Sequence, residues 1–319
     1  MKLPARIKLA NIPTPLEEIK YRDKKFLIKR DDLTGVELSG NKVRKLEFLI
    51  KKAQSEKADI IFTCGGEQSN HARATAIAAA RAGIKTRLFL WGKDSSDAEA
   101  NLFIDKFLGS EISFLNKKNY SEVNDIMYEE RDAMQHLGKR VYVIPEGGST
   151  TLGILGYVSF VEELGKQANL KSIKGICLAA GTGGTAAGIL TGAAMMKLNL
   201  KVYAVNVLYP KEEIETKIMH LAEGAVMDFK LRAKIKKENL VILDGYSAEG
   251  YKSITDKKLK LVKDFAQSSG IILDPAYTGK AFSAYYENFL SKGMGKKVIF
   301  LHTGGLFGVF DKKKKYLSA

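Results

Sequence analysis

The residues best suited to chemistry in this 319-residue chain fall in three short clusters. One is Gly181-Thr182-Gly183-Gly184-Thr185, set between the apolar run Gly175-Ile176-Cys177-Leu178-Ala179-Ala180 and a small-residue segment, Ala186-Ala187-Gly188, that opens a helix. Free backbone N–H groups and the positive helix end converge at such a turn, and together they bind phosphate. Thr182 and Thr185 add hydroxyl donors. No Lys-Ser/Thr pair follows, so the turn is not a P-loop, and its strand is not the first of a dinucleotide-binding unit. A tight turn needing glycine for geometry alone is the plainer alternative, and phosphate binding is the reading favoured.

The second cluster, Ser39-Gly40-Asn41-Lys42-Val43-Arg44-Lys45-Leu46-Glu47, reads as a turn leading into an amphipathic helix with Lys42 in its first turn. A lysine beside other cations and partly out of water loses proton affinity and becomes a usable nucleophile or base. Spacing does not choose between Lys42 and Lys45. The third cluster is Gly65-Gly66-Glu67-Gln68-Ser69-Asn70-His71. Glycines followed by polar groups at a helix start make a donor set suited to a carboxylate. Helix capping by Ser69 or Asn70 explains one of these residues and leaves the others.

These clusters need a scaffold that ends strands in turns and starts helices there. The chain supplies it as a repeated rhythm of short apolar strand, small turn and amphipathic helix. Strands are expected over 59–64, 86–91, 111–115, 140–144, 175–180, 201–207 and 297–301, with helices from Ser69 to near Gly83, over 101–108 and over 120–137. Strands alternating with helices of this length make βαβ units and a mainly parallel sheet. No repeat, low-complexity tract or long polar linker interrupts them, so two packed α/β domains are expected.

Composition bounds the partners. Hydrophobic residues are 45% and charged residues 27%, an ordinary globular balance. The formal charge is +15, from 51 Lys+Arg against 36 Asp+Glu. The basic residues are spread along the chain, with one run, Lys312-Lys313-Lys314-Lys315, near its end, which reads as solvated surface rather than a nucleic-acid site. Cys64 and Cys177 lie in apolar strand-like runs without metal-ligand spacing and are expected to be buried, reduced thiols. The N-terminus lacks the apolar core of a signal peptide, and no run of about 18 apolar residues is present, so a cytoplasmic protein with no membrane span and no bound metal is expected.

Taken together, Gly40-Asn41-Lys42-x-Arg44-Lys45-Leu46-Glu47, Gln68-Ser69-Asn70-His71, Gly181-Thr182-Gly183-Gly184-Thr185 and Asp274-Pro275-x-Tyr277-Thr278-Gly279-Lys280 closely resemble the D-cysteine desulfhydrase and 1-aminocyclopropane-1-carboxylate deaminase family. These are pyridoxal 5'-phosphate enzymes of the tryptophan-synthase-β fold type. The resemblance runs from about Pro13 to Gly305 with the motifs in family order. It implies two open, mainly parallel α/β domains with the cofactor cleft between them. The larger, cofactor-binding domain is expected over 1–50 plus 160–319, and the smaller over 51–159. It also implies a homodimer.

Residue by residue, the resemblance implies that Lys42 holds pyridoxal 5'-phosphate covalently. It places Asn70 at the cofactor's phenolic oxygen and residues Gly181, Thr182, Gly183, Gly184 and Thr185 around its phosphate. Ser69, Asn70 and His71 receive the substrate carboxylate, and Tyr251 and Tyr277 match the family's two active-site tyrosines. Thr278 falls where the family places the partner of the pyridine nitrogen. A carboxylate there keeps the ring protonated and a strong electron sink; a threonine does not. The weaker sink suffices when the α-proton is acidic and the β-group leaves readily, so α,β-elimination is expected, from D-cysteine to pyruvate, hydrogen sulfide and ammonia. The freed Lys42 amine acts as the base. Ring-opening deamination of the cyclopropane amino acid is the alternative; a catalytically silent cofactor-binding protein is another.

Two residues depart from the family pattern. Glu67 and Glu146 stand where apolar or small residues are usual. Surface pairing with Arg or Lys is expected for both; facing the pocket, they would favour a diamino acid or another polar amino acid.

Overall fold

The computed structural model describes residues 3–251 and 253–318. The chain enters through a hairpin of β1 (Leu16–Tyr21) and β2 (Lys24–Arg30), antiparallel across a two-residue turn at Arg22 and Asp23, both with positive φ. That turn matches the natural strand twist. Helix α1 (Lys42–Ser55) follows. Then come β3 (Ile60–Gly66), α2 (Asn70–Arg81), β4 (Lys85–Trp91), α3 (Ala100–Phe107), β5 (Glu111–Leu115), α4 (Lys117–Tyr120), α5 (Val123–His136) and β6 (Val141–Ile144). The rest of the chain runs α6 (Leu155–Gln167), β7 (Gly175–Ala180), α7 (Gly184–Met195), β8 (Lys201–Asn206), α8 (Lys211–Asp228), β9 (Leu240–Leu243), α9 (Asp256–Ser269), α10 (Thr278–Tyr285), β10 (Val298–His302), α11 (Leu306–Phe310) and α12 (Lys313–Leu317).

Two sheets result. One has the order β1-β2-β10-β7-β8-β9 and the other β5-β4-β3-β6, and every pairing except the β1–β2 hairpin is parallel. The mainly parallel α/β expectation is met. The central strands are apolar throughout because helices cover both faces, as parallel sheets require. In each sheet the order reverses beside one strand: β3 lies between β4 and β6, and β7 between β8 and β10. Ligands bind outside the carboxyl ends of strands at such reversals. Those ends are Gly66 and Ala180, one leading to the Ser69 cluster and the other to the glycine turn at 181–185.

Helix α1 joins the two halves. Val43, Leu46, Leu49 and Ile50 pack in the core of the four-stranded sheet, while Phe48 packs in that of the six-stranded sheet. A buried ionic knot holds the helix in place. The Arg44 guanidinium donates to both oxygens of Asp31 at 2.8 and 2.9 Å and to Glu163 at 2.8 Å. Asp31 also receives the Tyr157 hydroxyl at 2.6 Å, and Lys29 reaches Glu163 at 2.6 Å. Burial alone would raise the Asp31 pKa, but Arg44 overrides it and holds the carboxyl below its ordinary range.

Three details differ from the sequence-based expectation. The hairpin was not anticipated, since its strands are polar on their exposed side. The helix expected over 120–137 is broken: Asn116 caps the single turn α4, and the chain re-enters helix only at Val123. The run at 312–315 is partly paired, with Lys312 bridged to Asp311 and Lys313 to Glu99. Cys64 and Cys177 are buried and free. No helix among the described residues is long and apolar enough to cross a membrane.

Candidate active site

One cavity gathers most of the singled-out residues. Lys42, Ser69, Asn70, His71, Tyr251 and Tyr277 line it, with the whole turn from Gly181 to Thr185. Asn41 ties two of its walls together, because its Nδ2 donates to Thr185 Oγ1 at 2.9 Å. Lys42, the first residue of α1, donates from Nζ to Asn41 Oδ1 at 3.1 Å and lies 6.0 Å from the centre of the Tyr277 ring. Burial pulls its pKa down to about 8, with help from Arg73 and against the carboxylates of Glu146 and Asp274. That shift makes the neutral, nucleophilic form of this amine far more accessible near neutral pH than for an ordinary lysine.

Lys45, one turn further along α1, occupies a different place. It is 1% exposed, and Nζ donates only to neutral acceptors, Gly147 O and Ser149 Oγ, both at 3.1 Å. Among the described residues no carboxylate pairs with it. Burial, then the charge of Lys42, holds its pKa well below the ordinary lysine value. The glycine turn adjoins this amine. A Cβ on Gly184 would stand 2.6 Å from Lys45 Nζ and 2.5 Å from Ser149 Oγ, and Gly183 caps α7 with φ 82°. A buried amine without a carboxylate partner, beside the open N–H groups of a helix start, is a donor set suited to a phosphate, whose charge would hold the amine protonated. The residues therefore fit the phosphate end of pyridoxal phosphate, with Lys42 free at the other end to meet its aldehyde. Lys45 was not assigned this role from the sequence, where only its proximity to Lys42 was visible.

At the end of β3, Ser69 caps α2, its Oγ accepting from the N–H groups of His71 and Ala72 at 3.2 Å. Asn70 is steadied by Asn101, whose Nδ2 donates to Asn70 Oδ1 at 3.1 Å. His71 behaves differently from its neighbours. Its Nε2 meets Thr63 Oγ1 at 2.8 Å, and the Thr63 hydroxyl donates to Ile144 O, also at 2.8 Å. The ring must therefore donate from Nε2, leaving Nδ1 a bare acceptor without a hydrogen-bond partner in the structure. Burial, with Lys42 and Lys45 nearby, holds its pKa well below the ordinary histidine value. A neutral ring of this tautomer has no side-chain donor left for a carboxylate.

Tyr251 and Tyr277 meet edge to face, ring centres 5.5 Å apart, and their hydroxyls hydrogen-bond each other. Burial raises both pKa values, so both stay protonated at neutral pH. The Tyr251 backbone is held by Lys280, which donates to Gly250 O at 2.6 Å and Tyr251 O at 3.3 Å.

Thr278 stands apart. It is fully buried and does not line the cavity; its hydroxyl donates to Asp274 Oδ1 at 2.6 Å and accepts from the Asp274 N–H at 2.8 Å. Asp274 in turn takes the backbone N–H groups of Ala276, Tyr277 and Thr278, between 2.7 and 2.9 Å. The pair starts α10 and sets Tyr277, and the one hydroxyl proton of Thr278 is already committed to Asp274. Its placement opposite a pyridine nitrogen has no support in this arrangement.

The two unusual glutamates part company. Glu67 accepts from the Lys93 N–H at 3.2 Å, away from the cavity lining. Glu146 lines the cavity, and its partners are the hydroxyls of Tyr120 at 3.0 Å and Tyr209 at 3.1 Å. The expected surface pairing of Glu146 with Arg or Lys is therefore wrong: the chain turns inward at Pro145, and its partners come from α4 and the loop after β8.

Residues 7–304 match the family of pyridoxal-phosphate dependent enzymes, and the chain belongs to it. Its cofactor is pyridoxal 5'-phosphate, and its architecture is that of the fold type II members. It is 38% identical to a Thermotoga maritima protein described as “Putative 1-aminocyclopropane-1-carboxylate deaminase”, over 97% of this chain and 99% of the other. It is 35% identical to the mitochondrial bifunctional D-cysteine desulfhydrase/1-aminocyclopropane-1-carboxylate deaminase of Arabidopsis thaliana, over 95% of this chain and 79% of that protein. A crystal structure of an ACC deaminase homologue superposes with a TM-score of 0.90 at 34% identity, covering 99% of this chain and 96% of that one.

Proposed function

We propose that the protein is a lyase that removes a β-substituent from a small amino acid, with D-cysteine converted to pyruvate, hydrogen sulfide and ammonia. The observation that carries the reading is the cavity that holds the Lys42 amine, its proton affinity lowered, together with the buried Lys45 amine beside the glycine turn. Pyridoxal phosphate, when bound, supplies the electron sink that acidifies the substrate's α-proton. Lys42 anchors it and, once displaced, takes that proton at Nζ. Lys45 and the Gly181 to Thr185 turn hold the phosphate, and Asn70 the ring oxygen. Ser69 and Asn70 receive the substrate carboxylate. Tyr251 and Tyr277, both protonated, stand ready to hydrogen-bond the departing group. The balance closes with one water: cysteine plus water gives pyruvate, hydrogen sulfide and ammonia.

The likeness to the Arabidopsis thaliana protein described as a bifunctional D-cysteine desulfhydrase supports elimination. The identity to deaminase-described relatives favours a second reading, ring-opening of 1-aminocyclopropane-1-carboxylate to 2-oxobutyrate and ammonia. Purified wild type and Lys42→Ala decide the matter. Wild type is expected to be yellow and to release sulfide and pyruvate from D-cysteine, while Lys42→Ala loses the band of the lysine-bound cofactor and at least about 100-fold in rate. An unchanged spectrum in Lys42→Ala removes the anchor assignment; 2-oxobutyrate from the cyclopropane substrate with no sulfide from cysteine selects the second reading.

A further inference from the structure

Glu146 is an acid placed in the cavity wall by its own turn. Gly147 and Gly148, with φ of 68° and 58°, bend the chain there, and Gly147 O is one of the acceptors that hold Lys45. The turn is wedged tightly: a Cβ on Gly147 would lie 2.3 Å from Thr182 Oγ1. The Glu146 carboxylate is thus built into the same rigid wall as the phosphate turn.

Each of its oxygens accepts one tyrosine hydroxyl, at 3.0 and 3.1 Å, and no lysine or arginine bridges it among the described residues. A carboxylate has about four acceptor sites, so two neutral donors leave it unsaturated and uncompensated. The Lys42 ammonium feels its field, but the proposed function commits that amine to the cofactor. With a neutral side chain enclosed beside it, the acid would be left desolvated and unpaired, which is costly; with a cationic side chain it would be paired. An apolar or neutral residue on this turn would carry no such preference.

We propose that Glu146 selects the substrate: among small amino acids, the cavity prefers those whose side chain carries an ammonium group, that is, short diamino acids. This rests on the proposed function, in which Lys42 and the cavity handle a small amino acid, and within that class it places short diamino acids ahead of D-cysteine.

The test uses cofactor-loaded wild type and Glu146→Gln. Each is titrated with both enantiomers of 2,3-diaminopropionate, 2,4-diaminobutyrate, alanine and cysteine, following the visible absorption of the bound cofactor on binding and 2-oxo acid release on turnover. Wild type is expected to bind one diamino acid at least about 10-fold more tightly than alanine of the same hand, and Glu146→Gln to lose that preference. A wild type that prefers the neutral amino acids overturns the proposal whether or not the variant folds, as does a preference that survives in Glu146→Gln. Elimination of neutral amino acids without that preference leaves the lyase reading standing and sinks only the selectivity. Failure of every amino acid to perturb the cofactor sinks both.

Discussion

Replacing Lys45 with methionine separates its structural effect from its part in holding phosphate. In the cofactor-free protein burial and Lys42 weaken the hold of the Lys45 amine on its proton, and its removal leaves Gly147 O and Ser149 Oγ short of a donor. Ser149 keeps its contact with Thr182 at 2.7 Å. The stability of the cofactor-free protein should therefore fall only modestly, since each neutral hydrogen bond broken costs about 1 kcal/mol. With the cofactor the loss is larger. A unit charge pair about 4 Å apart is worth about 4 kcal/mol at an effective dielectric constant of about 20, and a hydrogen bond to a charged group nets about 1.5–3 kcal/mol. The smaller figure corresponds to a dissociation constant about 10- to 150-fold weaker. The assay is paired titration of the cofactor-free wild type and Lys45→Met with pyridoxal phosphate and with pyridoxal, which lacks the phosphate. The loss should fall on pyridoxal phosphate and spare pyridoxal to within about threefold. Equal losses for both ligands, or none, would refute the phosphate assignment of Lys45.

The remaining predictions concern the supports of the site. Gly184→Ala should fold but bind the phosphorylated cofactor poorly, because its Cβ lands 2.5 Å from Ser149 Oγ and 2.6 Å from Lys45 Nζ; normal cofactor content after purification would contradict the cradle. Asp31→Asn should lower the free energy of unfolding by about 3–5 kcal/mol at neutral pH, measured in denaturant, since it leaves the Arg44 guanidinium and Lys29 sharing one carboxylate, Glu163, in a buried knot. The folded pKa values of Asp31 and Glu163 lie below their ordinary values, so their stabilisation is present above the carboxylate range and is lost as pH falls through the folded values. Wild type should therefore lose stability below about pH 4 more steeply than Asp31→Asn.

Much of this site was legible because turn chemistry is local. The glycine turn at 181–185 and the cap at Ser69 each follow from residues adjacent in sequence, periodicity marks the strands that carry them, and the choice of Lys42 over Lys45 comes from the family resemblance rather than from spacing. What escaped depends on contacts across the chain. Lys45 is singled out only by Gly147, Ser149 and Gly184, more than 100 residues away. The Glu146 side chain is turned inward by tyrosines at 120 and 209, which no spacing rule connects. Thr278 is drawn to Asp274, four residues before it, an i to i+4 contact that could have been suspected from the Asp-Pro start of a helix. His71 is kept neutral by burial and by Lys42 and Lys45, and its tautomer is set by Thr63 across the strand end, pairings that the sequence alone does not connect.

Lys42 and Lys45 show how one helix yields two chemistries. They lie three residues apart on α1, near enough to one face that both reach the cavity, and burial is the largest influence on each. Desolvation by itself would make them equivalent. The difference lies in the charges they face: Glu146 and Asp274 temper the loss of proton affinity at Lys42, whereas Lys45 meets no carboxylate and feels Lys42 as a second cation. An amine whose pKa is lowered to about 8 can attack a carbonyl and later carry a proton. An amine whose proton affinity is lowered with no carboxylate to temper it instead awaits an anion, and a phosphate arriving at the Gly183–Gly184 turn would restore its charge. That phosphate would also screen the restored charge from Lys42, so the two ends of the cavity are electrostatically coupled through one turn of α1.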